Sequence, residues 1–154
     1  MHQREPFITD EDRQAIRQHF DEHVTGPVTI ELFSQPPSLL TVPGRDCPSC
    51  PETEQLLTEV AELSDHITLN IHDTRTERDA AEAAGITHIP AFVITGQAKG
   101  NVRYLGLPSG YEFMNLMEDM GAVSSGATQL SDKARTALRD LARDVHIQVF
   151  VTPT

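Results

Sequence analysis

Residues 46–63 read DCPSCPETEQLLTEVAEL and carry the pattern on which the fold prediction rests. The first part of this stretch carries two cysteines, Cys47 and Cys50, in C-x-x-C spacing. Apolar residues follow at helical spacing, and Pro51 suits the first turn of a helix, where no backbone N–H donor is needed. The stretch therefore predicts a helix over residues 51–63 that has the cysteine pair at its N-terminal end.

Alternating apolar residues on both sides of this helix predict two β-strands. Residues 28–33 and residues 67–71 each place apolar side chains at every second position. A strand, a helix and a second strand with this spacing form a right-handed βαβ unit with parallel strands. Residues 34–46 hold three prolines and one glycine, and we expect them to form a long loop that leads to the cysteines.

The whole pattern predicts an α/β protein with a mixed central sheet flanked by helices. A hairpin of two antiparallel strands is expected after the βαβ unit. The small, polar residues 121–130 predict a linker, and Ser131 is suited to cap the helix that follows it. The predicted elements outside the βαβ unit are helices over residues 11–23, 76–84, 110–120 and 131–142 and strands over residues 91–95, 102–105 and 145–151.

The C-x-x-C pair has the local chemistry of a redox centre. A cysteine just ahead of a helix N-terminus has its thiolate stabilised by unpaired backbone N–H groups and by the positive end of the helix. A second cysteine one turn further on is close enough to attack a mixed disulfide formed at the first. We therefore expect Cys47 to be the attacking thiolate and Cys50 the resolving thiol of a redox-active disulfide.

A proline 40 residues after Cys50 strengthens this interpretation. Pro90 opens the predicted strand that follows the second helix of the βαβ region. In a redox site of this kind, a cis X-Pro bond beside the disulfide leaves the preceding backbone free to pair with a substrate strand. We expect Ile89 and Pro90 to bind substrate in this way. The alternative is a trans proline that starts an edge strand.

Three further stretches carry a family resemblance: residues 61–65 (AELSD), 104–113 (YLGLPSGYEF) and 146–154 (HIQVFVTPT). Together with the C-x-x-C pair and Ile89-Pro90, they resemble the thioredoxin fold. More narrowly, they resemble the first unit of the glutaredoxin-like protein disulfide oxidoreductases, which contain two thioredoxin units in tandem. The resemblance implies a thiol–disulfide oxidoreductase that exchanges disulfides with protein or small-molecule substrates.

The resemblance also carries expectations about domains and about a further site residue. It implies a thioredoxin-like domain over residues 1–122, and a linker, helix and strand over residues 123–154 that are similar to the start of a second unit and end before its C-x-x-C. Glu31 stands where thioredoxins have a buried acid that relays a proton for the resolving cysteine. The alternative for Glu31 is a solvated or surface-paired glutamate. Asp46 replaces the tryptophan that precedes the cysteines in thioredoxins.

Composition and charge argue against several other functions. The 154 residues include 12 Lys and Arg against 23 Asp and Glu, a net charge of -11, and the basic residues are too scattered to follow a row of phosphates. We therefore expect no nucleic-acid partner, and no membrane partner, because no apolar run is long enough to span a bilayer. The sequence contains no glycine-rich phosphate loop and no flavin or nicotinamide motif. We expect no cofactor, and electrons that come from a reductase or a small thiol.

The N-terminal residues 1–6 are polar, and no apolar stretch follows them. We therefore expect no export signal and a cytoplasmic location, where a persistent structural disulfide is unusual.

Two alternatives from other classes stay open. His19 and His23 are four residues apart on the first helix and, with Cys47 and Cys50, would complete a Cys2His2 zinc site, although the order differs from that of a zinc finger. The other alternative is a non-enzymatic docking or assembly module. The apolar strand predicted over residues 145–151 would have an unpaired edge, so we expect it to form a homodimer with its equivalent in a second chain or to return to its own sheet.

Overall fold

The structure, a computed structural model, describes residues 5–37 and 46–151. Most of the predicted loop and both chain ends, residues 1–4, 38–45 and 152–154, lie outside the described residues. No helix in the described ranges is long and apolar enough to cross a membrane. In chain order the elements are α1 (Asp10–His23), β1 (Val28–Ser34), α2 (Cys50–Ala61), β2 (Ile67–Asp73), α3 (Arg78–Ala83), β3 (Ala91–Thr95), β4 (Val102–Leu105), α4 (Tyr111–Ser125) and α5 (Asp132–Arg139).

The four strands form one mixed sheet in the order β2-β1-β3-β4. β1 and β2 are parallel and are connected through α2, as the βαβ pattern predicts. β3 is antiparallel to β1, and β4 is antiparallel to β3, which is the predicted hairpin. Since Ala91 pairs with Phe33, β3 begins at the end of the sheet where β1 finishes. The crossover places the N-terminus of α2 toward this same end.

Helices α1, α2 and α4 cover one face of the sheet and form the main core with it. Successive side chains of a strand point to opposite faces, so Ile30 and Leu32 of β1 share this face, and both are fully buried. Phe20 of α1 and Leu57 of α2 pack into the same cluster. Met120 of α4 is also fully buried there, where it fills the core as its helical spacing from the other apolar residues of α4 predicts.

The opposite face of the sheet is covered by α3 and by the loop that follows it. A smaller cluster joins Phe33 of β1 and Val93 of β3 to Ala81 of α3. The partly buried Ile89 packs against the same cluster. This face therefore ties the predicted substrate-binding loop to the centre of the sheet.

Helix α4 is longer than the sequence predicts. It continues to Ser125, so residues 121–125 are helical rather than part of a linker, and the predicted domain boundary at 122 falls inside the helix. The small side chains there allow α4 to approach the end of α1 closely. A Cβ on Gly121 would lie 3.2 Å from Cβ of His23, and the hydroxyl of Ser124 accepts a 3.1 Å hydrogen bond from the backbone N–H of Thr25.

The other predicted helices are present, as are the four strands before residue 106, with ends shifted by at most three residues. Helix α1 begins one residue early because Thr9, rather than Asp10, is its cap: its side chain accepts a hydrogen bond from the backbone N–H of Asp12. Ser131 caps α5 as predicted, through a hydrogen bond from Ala134 N–H.

The strand predicted over residues 145–151 is wrong for the described chain. This segment has no strand structure, and its apolar side chains are exposed, Phe150 by 89% and Val149 by 79%. A strand exists only where a neighbouring strand accepts and donates its backbone hydrogen bonds, and no described strand pairs with this segment. It therefore does not return to its own sheet.

Candidate functional site

The two cysteines are joined to each other at the start of α2. Cys47 and Cys50 form a disulfide whose Cα atoms are 5.3 Å apart. The backbone N–H of Cys50 donates a 3.3 Å hydrogen bond to the carbonyl of Cys47, and Thr53 N–H donates to the carbonyl of Ser49. These bonds form the first turn of the helix, and Pro51 occupies the early position that needs no donor. Cys47 thus lies just ahead of the N-terminus of α2, as predicted.

The two sulfur-bearing residues differ in exposure. Cys50 is completely buried, whereas Cys47 is partly exposed. The buried hydroxyl of Thr53 donates a 2.8 Å hydrogen bond to the carbonyl of Ser49, which holds the turn that carries Cys50. Cys47 is therefore the more accessible residue of the pair.

The Ile89–Pro90 peptide bond is cis, and Pro90 is buried at the beginning of β3. The carbonyl of Pro90 accepts a 2.8 Å hydrogen bond from Gly106 N–H, which fixes this loop to the end of β4. Ile89 is only partly buried, and within the described part of the chain its backbone takes part in no hydrogen bond. Both residues lie at the end of the sheet toward which the N-terminus of α2 is directed.

Glu31 is not placed as a relay beneath the disulfide. It pairs in register with Val93, so its side chain lies on the face covered by α3, whereas α2 covers the other face. Its carboxylate accepts a 2.9 Å hydrogen bond from Asn70 and contacts Nε2 of His72 at 2.6 Å. The surface-paired alternative therefore describes Glu31 better than the proton relay does. The alternation of side chains along a strand does not reveal which face of the sheet α2 will cover, so the sequence could not decide between the two.

His72, at the end of β2, is the centre of a charged cluster that the sequence analysis did not identify. Its Nε2 faces Glu31 and its Nδ1 faces Glu77, at 2.6 and 2.7 Å, while its ring stacks on Phe33 with centroids 4.9 Å apart. Hydrogen bonds to Glu31 and then to Glu77 raise the pKa of His72 above its ordinary value, although partial burial opposes this. With a carboxylate at each ring nitrogen, both nitrogens donate, and the imidazolium form is favoured.

The Cys2His2 zinc alternative is contradicted. Within the described residues no group of three or more His, Cys, Asp or Glu side chains could hold a metal ion. His19 and His23 stack on each other, and Nε2 of His19 lies 3.3 Å from the carbonyl of Met117 in α4. The cysteines are bonded to each other at the start of α2. The spacing of His19 and His23 therefore reflects the packing of α1 against α4.

The buried Glu59 of α2 anchors the segment that precedes α1. Its carboxylate accepts hydrogen bonds from the backbone N–H groups of Phe7 and Ile8, at 3.1 and 3.0 Å, and from the Gln55 amide at 2.9 Å. Arg13 lies 3.4 Å from it. Burial alone raises the pKa of Glu59, but these hydrogen bonds and the Arg13 charge together bring it below its ordinary value. The N-terminal segment is thereby held beside the helix that carries Cys50.

This anchoring brings Phe7 to the cysteine motif. A hollow of about 330 Å³ is lined by Phe7 together with Pro48 and Pro51. Sequence reasoning missed Phe7 because an isolated aromatic residue before a helix gives no periodic signal. The one hint in the sequence is that Phe7 is apolar although it lies before the predicted helix over residues 11–23, outside its apolar stripe.

A family model described as a thioredoxin domain matches residues 39–118, which include both cysteines and Pro90. The chain belongs to the thioredoxin-domain family. This confirms the expected fold class, and a thioredoxin domain with a bonded Cys47–Cys50 pair at the start of α2 fits a thiol–disulfide oxidoreductase. No curated protein matches the chain.

Solved structures show the same fold. A protein disulfide oxidoreductase from Aeropyrum pernix k1 is similar with a TM-score of 0.71 and 23% identity, over 86% of this chain and 55% of that one. An alkylhydroperoxide reductase from Enterococcus faecalis is similar with a TM-score of 0.70 and 25% identity, over 87% of this chain and 61% of that one. The chain thus spans less than two thirds of the length of either structure.

Proposed function

We propose that the protein is a thiol–disulfide oxidoreductase in which Cys47 attacks substrate disulfides and Cys50 resolves the intermediate. The observation that carries this proposal is the bonded pair at the N-terminus of α2, with Cys47 partly exposed and Cys50 buried. The more accessible cysteine, Cys47, is the one that would meet the substrate first. The buried one is positioned to react only with its neighbour.

The exchange balances within the pair and its substrate. The Cys47 thiolate attacks one sulfur of a substrate disulfide, which forms a mixed disulfide and releases one substrate thiolate that takes up a proton. The Cys50 thiol gives up its proton as its sulfur attacks Sγ of Cys47, and this step releases the second substrate thiolate. The substrate gains two electrons, and the protein is left with the Cys47–Cys50 disulfide.

Two electrons must then return from outside the chain. We assign them to a reductase partner or to a small thiol, which reduces the disulfide by the same exchange. The direction of net reaction follows the reduction potential of that partner. Thiol reductants of this kind are plentiful in the cytoplasm, which is the location we propose.

Ile89 and Pro90 are proposed to hold the substrate backbone. Ile89 is partly exposed at the end of the sheet toward which α2 begins, and no described backbone group bonds to it. Its N–H and C=O are therefore available to an extended substrate segment, in the manner of an added strand. Protein disulfides in extended segments satisfy this geometry, whereas a small-molecule disulfide would need only access to Cys47.

The test is reduction of insulin with dithiothreitol as the electron donor. Cys47→Ser is expected to lower the rate to that of dithiothreitol alone, since no attacking thiolate remains. Cys50→Ser is expected to slow turnover and to accumulate a mixed disulfide on Cys47, which mass spectrometry detects. Circular dichroism of both variants checks that the fold is intact. Unchanged rates in both would overturn the proposal and leave the docking or assembly module as the better candidate.

A second proposal concerns assembly and rests on the exposed C-terminal segment. Residues 145–151 carry alternating apolar side chains, and Ile147 is 78% exposed. We propose that the segment pairs with its equivalent in a second chain, because backbone pairing would cover these side chains and supply the missing ladder. Light scattering at micromolar concentration should report a dimer that Ile147→Lys converts to a monomer. A monomeric unmodified protein would contradict this proposal.

A further inference from the structure

An apolar groove lies between α1 and α4. Its volume is about 670 Å³, within the range of sites that hold a ligand or a peptide side chain. Leu56 of α2 and Leu107 of the β4–α4 loop line it, together with Phe113 and Met117 of α4. None of these residues belongs to the cysteine motif or to the Ile89-Pro90 loop, so this groove is separate from the proposed exchange site.

The groove and the smaller hollow beside the cysteines share one lining residue. Phe7 lines the groove and also lines the smaller hollow that contains Pro48, the residue after Cys47. The position of Phe7 is fixed by the hydrogen bond from its backbone N–H to Glu59. Phe7 is therefore the residue that links the groove to the hollow at the cysteine motif.

The apolar side chains that edge the groove are unusually open to solvent. Phe7 is 48% exposed and Met114 is 60% exposed. Single exposed apolar residues are common on protein surfaces, but these two edge one concave surface, which is the arrangement expected of an interaction site. Met114 lies outside the apolar stripe of α4 that faces the core, so packing does not account for it.

The charges around this surface have one sign. Asp12 and Glu118 line the groove, and Glu5 and Glu52 line the hollow. No Lys or Arg occurs among the described residues that line either one, and His19 is the one titratable nitrogen base in the groove. A partner that complements the surface has an apolar side chain for the groove and basic residues next to it.

We propose that the groove between α1 and α4 docks a segment of the protein substrate that presents an aromatic or aliphatic side chain flanked by Lys or Arg. The inference rests on the proposed function, because the docked segment must be the one that carries its disulfide to Cys47. The substrates would then be proteins with basic, apolar sequence near an accessible disulfide.

The test uses three synthetic peptides that share one disulfide to a fluorogenic thiol and differ in one flanking segment. The flank contains Phe with two Lys in the first peptide, Phe with two Glu in the second, and Ser with two Lys in the third. The expected kcat/KM of the first exceeds that of the other two by about tenfold, through a lower KM.

Variants of the groove localise this preference. Met114→Glu is expected to remove the advantage of Phe over Ser, and Glu118→Lys to remove the advantage of Lys over Glu. Leu130→Glu and Asp65→Lys are matched controls that make the same kinds of change at exposed positions outside the groove, and each should keep the preference of the unmodified protein.

The outcomes separate the two proposals. Equal kcat/KM for all three peptides would overturn the docking inference while the exchange reaction stands. If the control variants also lose the preference for the first peptide, that preference arises from the overall charge of the protein. This result would also overturn the inference. A change in oligomeric state in Met114→Glu would identify a second copy of the chain as the occupant instead. If no peptide reacts and a small disulfide does not react either, the proposed function itself fails.

Discussion

β1 and the C-terminal segment have the same kind of sequence and opposite structures. Residues 28–33 and residues 145–151 both place apolar side chains at every second position. β1 lies between β2 and β3, and its Ile30 and Leu32 are fully buried. The C-terminal segment pairs with no described strand, and its Val149 is 79% exposed. Alternation thus indicates that a segment can be a strand, whereas the neighbours decide whether it becomes one.

The largest expected difference between the two regions is in core packing. Leu32→Ala should lower the free energy of unfolding by roughly 2–5 kcal/mol, since it leaves a cavity between the sheet and its helices. In the monomer, at low protein concentration, the matched change Val149→Ala should alter it by less than about 0.5 kcal/mol. Urea denaturation followed by circular dichroism measures both. Equal losses would mean that the C-terminal segment is packed in solution.

Loss of the Glu59 anchor is expected to be the next largest effect. Glu59→Gln removes the charge that several donors share and should lower the free energy of unfolding by about 1–3 kcal/mol at neutral pH. Because the pKa of Glu59 is lowered in the folded protein, its contribution is present above the ordinary glutamate pKa and is lost as the pH falls through the lowered value. The difference in the free energy of unfolding between the unmodified protein and Glu59→Gln should therefore become smaller in acid. Asp144→Asn, in the exposed C-terminal region, should show no such difference.

The charged cluster around His72 should give a smaller effect with the opposite pH dependence. Its folded pKa is raised, so its contribution is complete below the ordinary histidine pKa and disappears as the pH rises through the raised value. His72→Gln should cost about 1 kcal/mol or less, and only on the acidic side of that range. Thermal unfolding across the range tests this against His146→Gln in the exposed segment. A larger cost at alkaline pH would contradict the imidazolium interpretation.

The smallest effect on stability is expected from a charge placed in the exposed segment. At a protein concentration low enough to keep the chain monomeric, Val149→Asp should leave Tm nearly unchanged, because no described packing within the chain is lost. It should instead raise solubility, since a charge blocks association of an unpaired apolar segment. Turbidity at increasing protein concentration measures this. A marked drop in Tm would show that the segment contributes to folding.

The sequence predicted most of the fold because each element carries a local signal. Alternation identified β1, and the hairpin strands 91–95 and 102–105 were predicted with their observed ends. The end of α4 was missed because Gly121 and Ser124 are typical of linkers in composition. Their small size instead allows α4 to pack closely against the end of α1, which is a tertiary contact that local sequence does not reveal.

The site was predictable to the extent that its chemistry is contiguous in sequence. Cys47 and Cys50 are recognisable by their spacing and by the helix that follows. The partners of Glu31 and His72 depend on strand register and on which face α3 covers, so neither could be assigned from alternation alone. Phe7 is held at the cysteine motif by a contact with Glu59, which lies 52 residues further along the chain.

Glu59 holds the N-terminal segment in a way that does not depend on which side chains residues 7 and 8 carry. The donors are the backbone N–H groups of residues 7 and 8, which every amino acid except proline supplies. Substitution of Phe7 therefore changes the surface beside the cysteines without removing its attachment. Substitutions at this position can therefore change the preference for a partner while the scaffold and the exchange chemistry stay as they are.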